Sequence, residues 1–260
     1  MLFRPVYGPE LEAIWAYVVE CNRAGIAPGL ADIREAFIPH NNDGSTPSSQ
    51  NVEDALSFLK ACAMLTFDVG YRARVDNPAP FALQVLQQLR RIERHQDTTE
   101  SPLNPLYLLL LTELFVKPDL LFVANVHAVA NELQDVKVVG GLSQEKTRAW
   151  QRVMGFLGVG RRIGSGFQCV YSPALLEAFL LTGAQEPSTL QSFLEDIVDE
   201  ILPYARMDGD LAQAVSIPLA YLQEMGKIEL FSMQDSPTRA YFGDRQYKGI
   251  SRRRQHVDVV

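Results

Sequence analysis

The chain has 260 residues, 47% of them apolar, and a formal net charge of -7. That apolar share supplies folded cores, and the length admits two or three small domains. The acidic balance argues against a chain that coats nucleic acid with its whole surface, because Lys and Arg contacts to phosphate supply most non-specific affinity.

The first helix is predicted over Pro9 to Asn22, with Leu11, Ile14, Trp15, Val18 and Val19 on one face and Gly25 just past its end. A shorter helix follows within Pro28 to Phe37. Residues Pro39 to Ser49 are Asn, Asp, Gly, Ser and Pro in bulk, which is turn chemistry. Ser48 or Ser49 then caps a third helix, with Glu53 in reach for a capping box. Val52, Ala55, Leu56, Leu59 and Ala63 recur at three- and four-residue steps. After Ala63 the period becomes two: Leu65, Phe67 and Val69 alternate, Gly70 interrupts, and Tyr71, Ala73 and Val75 alternate again. That is strand, turn, strand.

Asn77 to Pro80 breaks the chain, and Phe81 to Arg94 is a further helix. The polar run His95 to Pro102 reads as a linker. From Asn104 to Lys117 the chain is apolar almost all round, so that helix is expected at the centre of a core. A helix from Phe122 to Leu133 is predicted next, then a turn over Asp135 to Gly141 with a short strand at Val136 to Val139. Ser143 caps a helix through Phe156 that stops at Gly158. Gly160, Gly164 and Gly166 form a hairpin-like tip, and Phe167 to Tyr171 returns.

Pro173 to Leu181 is a short helix, and Gly183 to Ser188 a linker. A helix over Leu190 to Leu202 turns Phe193, Leu194, Ile197, Val198 and Ile201 inward and carboxylates outward. Asp210 to Met225 is helical around Pro218, which must kink it or mark a start. Lys227 to Met233 alternates as a strand, with Arg239 to Phe242 as its return. Residues 251–260 are a polar tail.

Three helix ends align by role. Leu59 precedes Ala63, Met154 precedes Gly158 and Leu222 precedes Gly226, each by four residues, and each small residue leads into a turn and a returning aromatic strand. Three short helices and a hairpin bury one core in about 65 to 80 residues, the size of a minimal domain. By this pattern the chain resembles tandem winged-helix proteins over nearly its whole length. The fold expected is mostly α with short β-hairpins (α+β), as three tandem winged-helix-like units over 1–95, 103–182 and 188–250. The resemblance implies nucleic-acid contact or protein scaffolding, since the family serves bacterial repressors, replication initiators, chromosome-organising complexes and phage-defence systems. One fold hosts many functions.

For DNA, guanidinium and amide side chains on the third helices and wings are the candidates. In the second unit these are Gln144, Lys146, Thr147, Arg148, Gln151 and Arg152, followed by Arg161 and Arg162. In the first they are Arg72 and Arg74 on the wing, because Glu53 and Asp54 make its helix acidic. In the tail they are Arg252, Arg253 and Arg254. Signals for catalysis are poor: His40, His95, His127 and His256 are far apart. The glycines from Gly158 to Gly166 lack the order of a phosphate loop and follow a helix instead of a strand. Cys21, Cys62 and Cys169 have neither metal nor redox spacing and read as buried thiols. The start lacks a signal-peptide layout, and no apolar run reaches the roughly 20 residues of a membrane span.

The expectation is therefore a cytoplasmic, non-enzymatic protein with no cofactor and no membrane contact. It associates with DNA and with larger protein subunits. The alternatives are a dimeric sequence-specific regulator or replication initiator, and a pure adaptor without DNA affinity.

Overall fold

The computed structural model describes residues 1–38, 48–75, 79–94, 101–183, 188–231, 239–240, 246–247 and 249–252. Helices dominate, joined by small antiparallel sheets, so the class is α+β. No helix among the described residues is long and apolar enough to cross a membrane. Contacts divide the chain into two compact units. One is Met1–Tyr107 with Ala130–Leu157, the other Leu108–Val129 with Gly158–Val260.

The first unit opens with α1 (Gly8–Arg23), α2 (Leu30–Phe37) and α3 (Gln50–Ala61), then the hairpin β1 (Leu65–Phe67) and β2 (Tyr71–Ala73). The period-3.6 face of α3 does what its spacing demands: Val52, Ala55, Leu56 and Leu59 are buried. The helix stops at Ala63, whose φ of +57° is left-handed. There the N–H of Ala63 donates to Lys60 O and that of Met64 to Leu59 O, a Schellman pair. The hairpin pairs Leu65 with Ala73 and Phe67 with Tyr71. Gly70 is obligatory at its tip, since a Cβ there would lie 2.3 Å from Ala27 O. The outer side of β2 is closed too. Tyr71 N–H donates to Pro28 O, and the Asn22 amide bonds both Tyr71 O and Ala73 N.

α4 (Phe81–Arg94) has the bounds its stripe predicted. α5 (Leu106–Leu111) begins in this unit and continues as a π-helical turn, Thr112–Val116, in the other. α7 (Gln134–Val138) and α8 (Gln144–Phe156) complete the first unit. α1 packs on α3, β2 and α8. Phe156 lies so close over Gly8 that a Cβ there would meet its ring carbon at 1.9 Å. Trp150, fully buried, donates from Nε1 to Tyr107 O at 2.7 Å.

The second unit holds β3 (Phe122–Val123), most of α6 (Val126–Ala130), the hairpin β4 (Arg161–Ile163) and β5 (Gly166–Gln168), and α9 (Pro173–Gly183). It continues with β6 (Ser188–Thr189), α10 (Leu190–Ser192) running into a π-helical Phe193–Val198, and α11 (Gln213–Glu224). Last come β7 (Ile228–Phe231), β8 (Arg239–Ala240), β9 (Gln246–Tyr247) and β10 (Gly249–Arg252). Two three-stranded sheets form, in the orders β3-β5-β4 and β6-β10-β7. In each, the returning strand of a hairpin takes a third strand from before the preceding helices.

Several expected elements differ. The helix over Phe122 to Leu133 is a strand, then α6 alone. Asn125 separates them, its side-chain oxygen accepting from Ala128 N–H, and Val129 is 42% exposed. The strand at Val136 to Val139 is α7, with Val136 buried and Val138 exposed, closed by Gly140 and Gly141 at positive φ. The helix over Leu190 to Leu202 ends at Val198. Met225 caps α11, which starts only at Gln213 and contains Pro218. The proline ring cannot bond Ala214 O, and that carbonyl instead accepts from Tyr171 N–H at 2.9 Å. β7 is completed by β10, whereas Arg239–Ala240 pairs with Gln246–Tyr247. Ser251 and Arg252 therefore belong to a strand and not to a tail. Residues 39–47, 76–78, 95–100, 184–187 and 241–245 carry most of the expected turn, breaks, linkers and return strand. They lie outside the described residues, as do Met233, His40, His95 and His256.

Candidate nucleic-acid interface

α8 is the helix on which the sequence placed most base-reading side chains. Ser143 caps it, its hydroxyl accepting from Lys146 N–H at 3.2 Å. This satisfies an otherwise unpaired donor and fixes where the first turn points. Gln144 and Arg148 are exposed, one turn apart on one face, whereas Lys146 is half-exposed on a different face of the first turn. Glu145 is exposed beside them, where the helix dipole favours a carboxylate.

The other members of the set turn inward. Thr147 and Gln151 are each 2% exposed, and the Thr147 hydroxyl donates to Ser143 O. Arg152 is half-buried with its guanidinium 4.8 Å from the centre of the Tyr7 ring, a cation–π contact. Its Nε is buried with no hydrogen-bond partner. Arg152 therefore serves the packing of α8 on the segment that leads into α1.

Arg161 and Arg162 lie on β4 in the second unit, both exposed. Arg161 Nε donates to Gln168 Oε1 at 2.7 Å and Arg162 Nε to Gly164 O at 2.8 Å, so both stems are braced on the hairpin. The neighbouring glycines serve the sheet. A Cβ at Gly160 would lie 2.2 Å from Gln168 O, and one at Gly166 would lie 2.6 Å from Val123 O. Arg72 on β2 and Arg74 after it are exposed. Arg252 is exposed on β10, opposite Ile228, while Arg253 and Arg254 fall outside the described residues.

Two of the three cysteines are buried thiols as expected, whereas Cys21 is only partly buried, and burial keeps the two protonated. Cys62 is pushed up to about 12 and Cys169 is also raised, so neither is a nucleophile at neutral pH. Among the described residues no group of three His, Cys, Asp or Glu side chains is placed to hold a metal ion.

One polar cluster was not legible in the sequence. Asp119, at φ +56°, accepts from Gln213 N–H at 2.7 Å and from Gln213 Nε2 at 3.0 Å. It thereby caps α11 from 94 residues away. Arg206 joins it, bonded also to Asp208 and Asp210. The guanidinium holds the Asp208 carboxyl below the usual carboxylate range. With a cation already in place, this cluster braces the start of α11.

No protein-family model, curated protein or solved structure matches the chain.

Proposed function

We propose that the chain is a non-enzymatic, nucleic-acid-associated subunit of a larger assembly, built from three tandem winged-helix units over 1–95, 103–182 and 188–250. One observation carries the reading: in two segments an early strand, then helices, then a hairpin recur, and the early strand joins the returning one. In the second segment the order is α5, β3, α6 and α7, α8, β4, β5, and β3 joins the returning strand β5. In the third it is β6, α10, α11, β7, β10, with no leading helix of its own because α9 lies in the second segment, and β6 joins β10. In the first it is α1, α2, α3, β1, β2, with Pro28 O accepting from Tyr71 N–H in the place of that added strand.

Nucleic acid is the partner best suited to the outward side of α8. Arg148 supplies a phosphate contact there and Gln144 an amide, and Lys146 adds a second cation on another face of the first turn. Arg161 and Arg162 in the second compact unit, and Arg72 and Arg74 in the first, are further phosphate-contact candidates, each taken by itself. The remaining surface of an acidic chain suits protein subunits.

Anisotropy of a labelled DNA duplex, measured across a salt series, tests this. The chain binds at low salt and loses affinity steeply as salt rises. The double variant Lys146→Ala, Arg148→Ala binds more weakly, with a salt slope smaller by about two. Unchanged binding and slope would remove α8 from the interface. Absence of any binding at low salt would reduce the chain to a protein adaptor.

A further inference from the structure

Within the second compact unit, the sheet β3-β5-β4 has two unlike faces. Residues paired across neighbouring strands point to the same side. Val123 pairs with Phe167, both are buried, and the Phe167 ring lies 5.7 Å from that of Phe115, so this side faces the core. On the other side Phe122, Gln168 and Arg161 stand in register across the three strands, with the pair Ile163 and Gly166 next to them. Phe122 is 46% and Ile163 43% exposed, and Arg161 is exposed. Gly166 has no side chain to present there, and the Phe122 ring lies over it: a Cβ at Gly166 would meet Cζ of that ring at 2.7 Å. An aromatic ring is thus held at a defined place on the sheet and left open to solvent.

The charge around this ring runs against that of the whole chain. The net charge is -7, yet residues 120–129 and 158–176, which hold all three strands, contain no Asp or Glu. Asp119, just before them, is taken up by Arg206 and Gln213. Arg161 and Arg162 each use Nε for a bond within the hairpin, so among the described residues their terminal nitrogens remain for an anion. Gln168 Oε1 accepts from Arg161, which leaves the amide N–H groups to offer.

We propose that this outer face binds single-stranded nucleic acid, with an unpaired base stacked on Phe122 and the flanking phosphates held by Arg161 and Arg162. The proposal rests on the nucleic-acid reading above and adds to it a second site and a ligand class. Inside a duplex each base face is covered by its neighbours, so a ring on a sheet stacks only on a base that is unpaired. The Gln168 amide suits a base carbonyl beside that ring. Because every base has a π-face, the site is tolerant of sequence.

Anisotropy of a labelled 15-nucleotide oligothymidine, run beside a duplex of the same length, tests this with the full chain at low salt. The oligothymidine binds, and Phe122→Ala weakens its binding about tenfold, with a much smaller effect on the duplex. Phe122→Leu keeps apolar bulk over Gly166 and weakens binding as far, whereas Phe122→Trp retains it, which separates stacking from loss of fold. In Phe122→Trp the added indole fluorescence is quenched by oligothymidine. Arg161→Ala with Arg162→Ala lowers the salt slope for oligothymidine by about 1.4. Oligothymidine binding by Phe122→Leu that equals the wild type overturns the proposal. So does a chain that binds the duplex and not oligothymidine, the result expected if an acidic protein surface covers this face; the reading of α8 then stands without this site. A chain that binds neither overturns both.

Discussion

Helices α8 and α11 both end at a glycine in the left-handed region, Gly158 at φ +81° and Gly226 at φ +67°, and both lead within a few residues into a strand. Inward they are alike. Trp150, Val153 and Met154 on one, and Val215, Leu219 and Leu222 on the other, are buried. Outward they part. α8 shows Gln144 and Arg148, whereas α11 shows Tyr221 and Met225. The inward residues and the helix ends specify the element. The outward residues are free of that duty, so two helices with alike inner faces carry different surfaces.

The sharpest test of that division is a pair of truncations. Trp150→Ala removes a fully buried indole and its bond to Tyr107 O. It should cost about 3–5 kcal/mol, as for other large core aromatics. Tyr221→Ala removes a half-exposed ring and should cost under about 1 kcal/mol, because surface changes away from special features are mild. Urea unfolding followed by circular dichroism compares them. Equal losses would mean that the outward side of α11 is part of the fold after all.

Comparing the two helices also separates what a sequence declares from what it withholds. Long inward stripes are declared, because a 3.6 period needs only one helix to be visible; α4 was readable from Phe81 to Arg94 for that reason. Two-residue strands are not. β3 and β6 are too short to show a period of two, and they exist because Gln168 and Gly249 come to lie beside them. The site was legible as residue types and not as exposure. Thr147 and Gln151 are polar, as a base-reading residue is, yet their side chains face the core. Arg152 could have been set aside only by knowing that Tyr7 lies under it. The cap on α11 depends on Asp119, which no local pattern connects to Gln213.

The helix ends give a smaller effect with a sign that differs between copies. Ala63 occupies the position that glycine holds at 226, with φ +57°, and an L-residue there costs about 1–2 kcal/mol. Ala63→Gly removes that strain and gives back part of it as unfolded-chain entropy, so it should stabilise by about 0.5–1 kcal/mol. Gly226→Ala should destabilise by about 1 kcal/mol for the mirror-image reason. Thermal unfolding of the two variants should shift in opposite directions. The Schellman bonds at both ends are the same: Met64 N–H to Leu59 O in one, Lys227 N–H to Leu222 O in the other. Shifts of the same sign would therefore break the equivalence of the two ends.

The helix starts differ in a way that pH reads. At α8 the Ser143 hydroxyl accepts a backbone N–H and nothing in the bond titrates. At α3 the Ser49 hydroxyl instead donates to the Glu53 carboxylate at 2.6 Å, and Arg34 pairs with the same group. The Ser49 bond first, and Arg34 second, hold Glu53 below the usual carboxylate range. A carboxyl depressed by folding stabilises fully above its unfolded pKa of about 4.3, and that contribution is lost as pH falls through the folded value. Glu53→Gln should therefore lower the melting temperature slightly at pH 6, and that deficit should shrink as pH falls below the unfolded value toward pH 3. Ser143→Ala, which removes a cap of about 1 kcal/mol, should lower it at both. A Glu53→Gln deficit that persists unchanged at pH 3 would show that the side chain works by shape and amide-like bonding, and that the charge at the start of α3 does no more than the neutral hydroxyl at the start of α8.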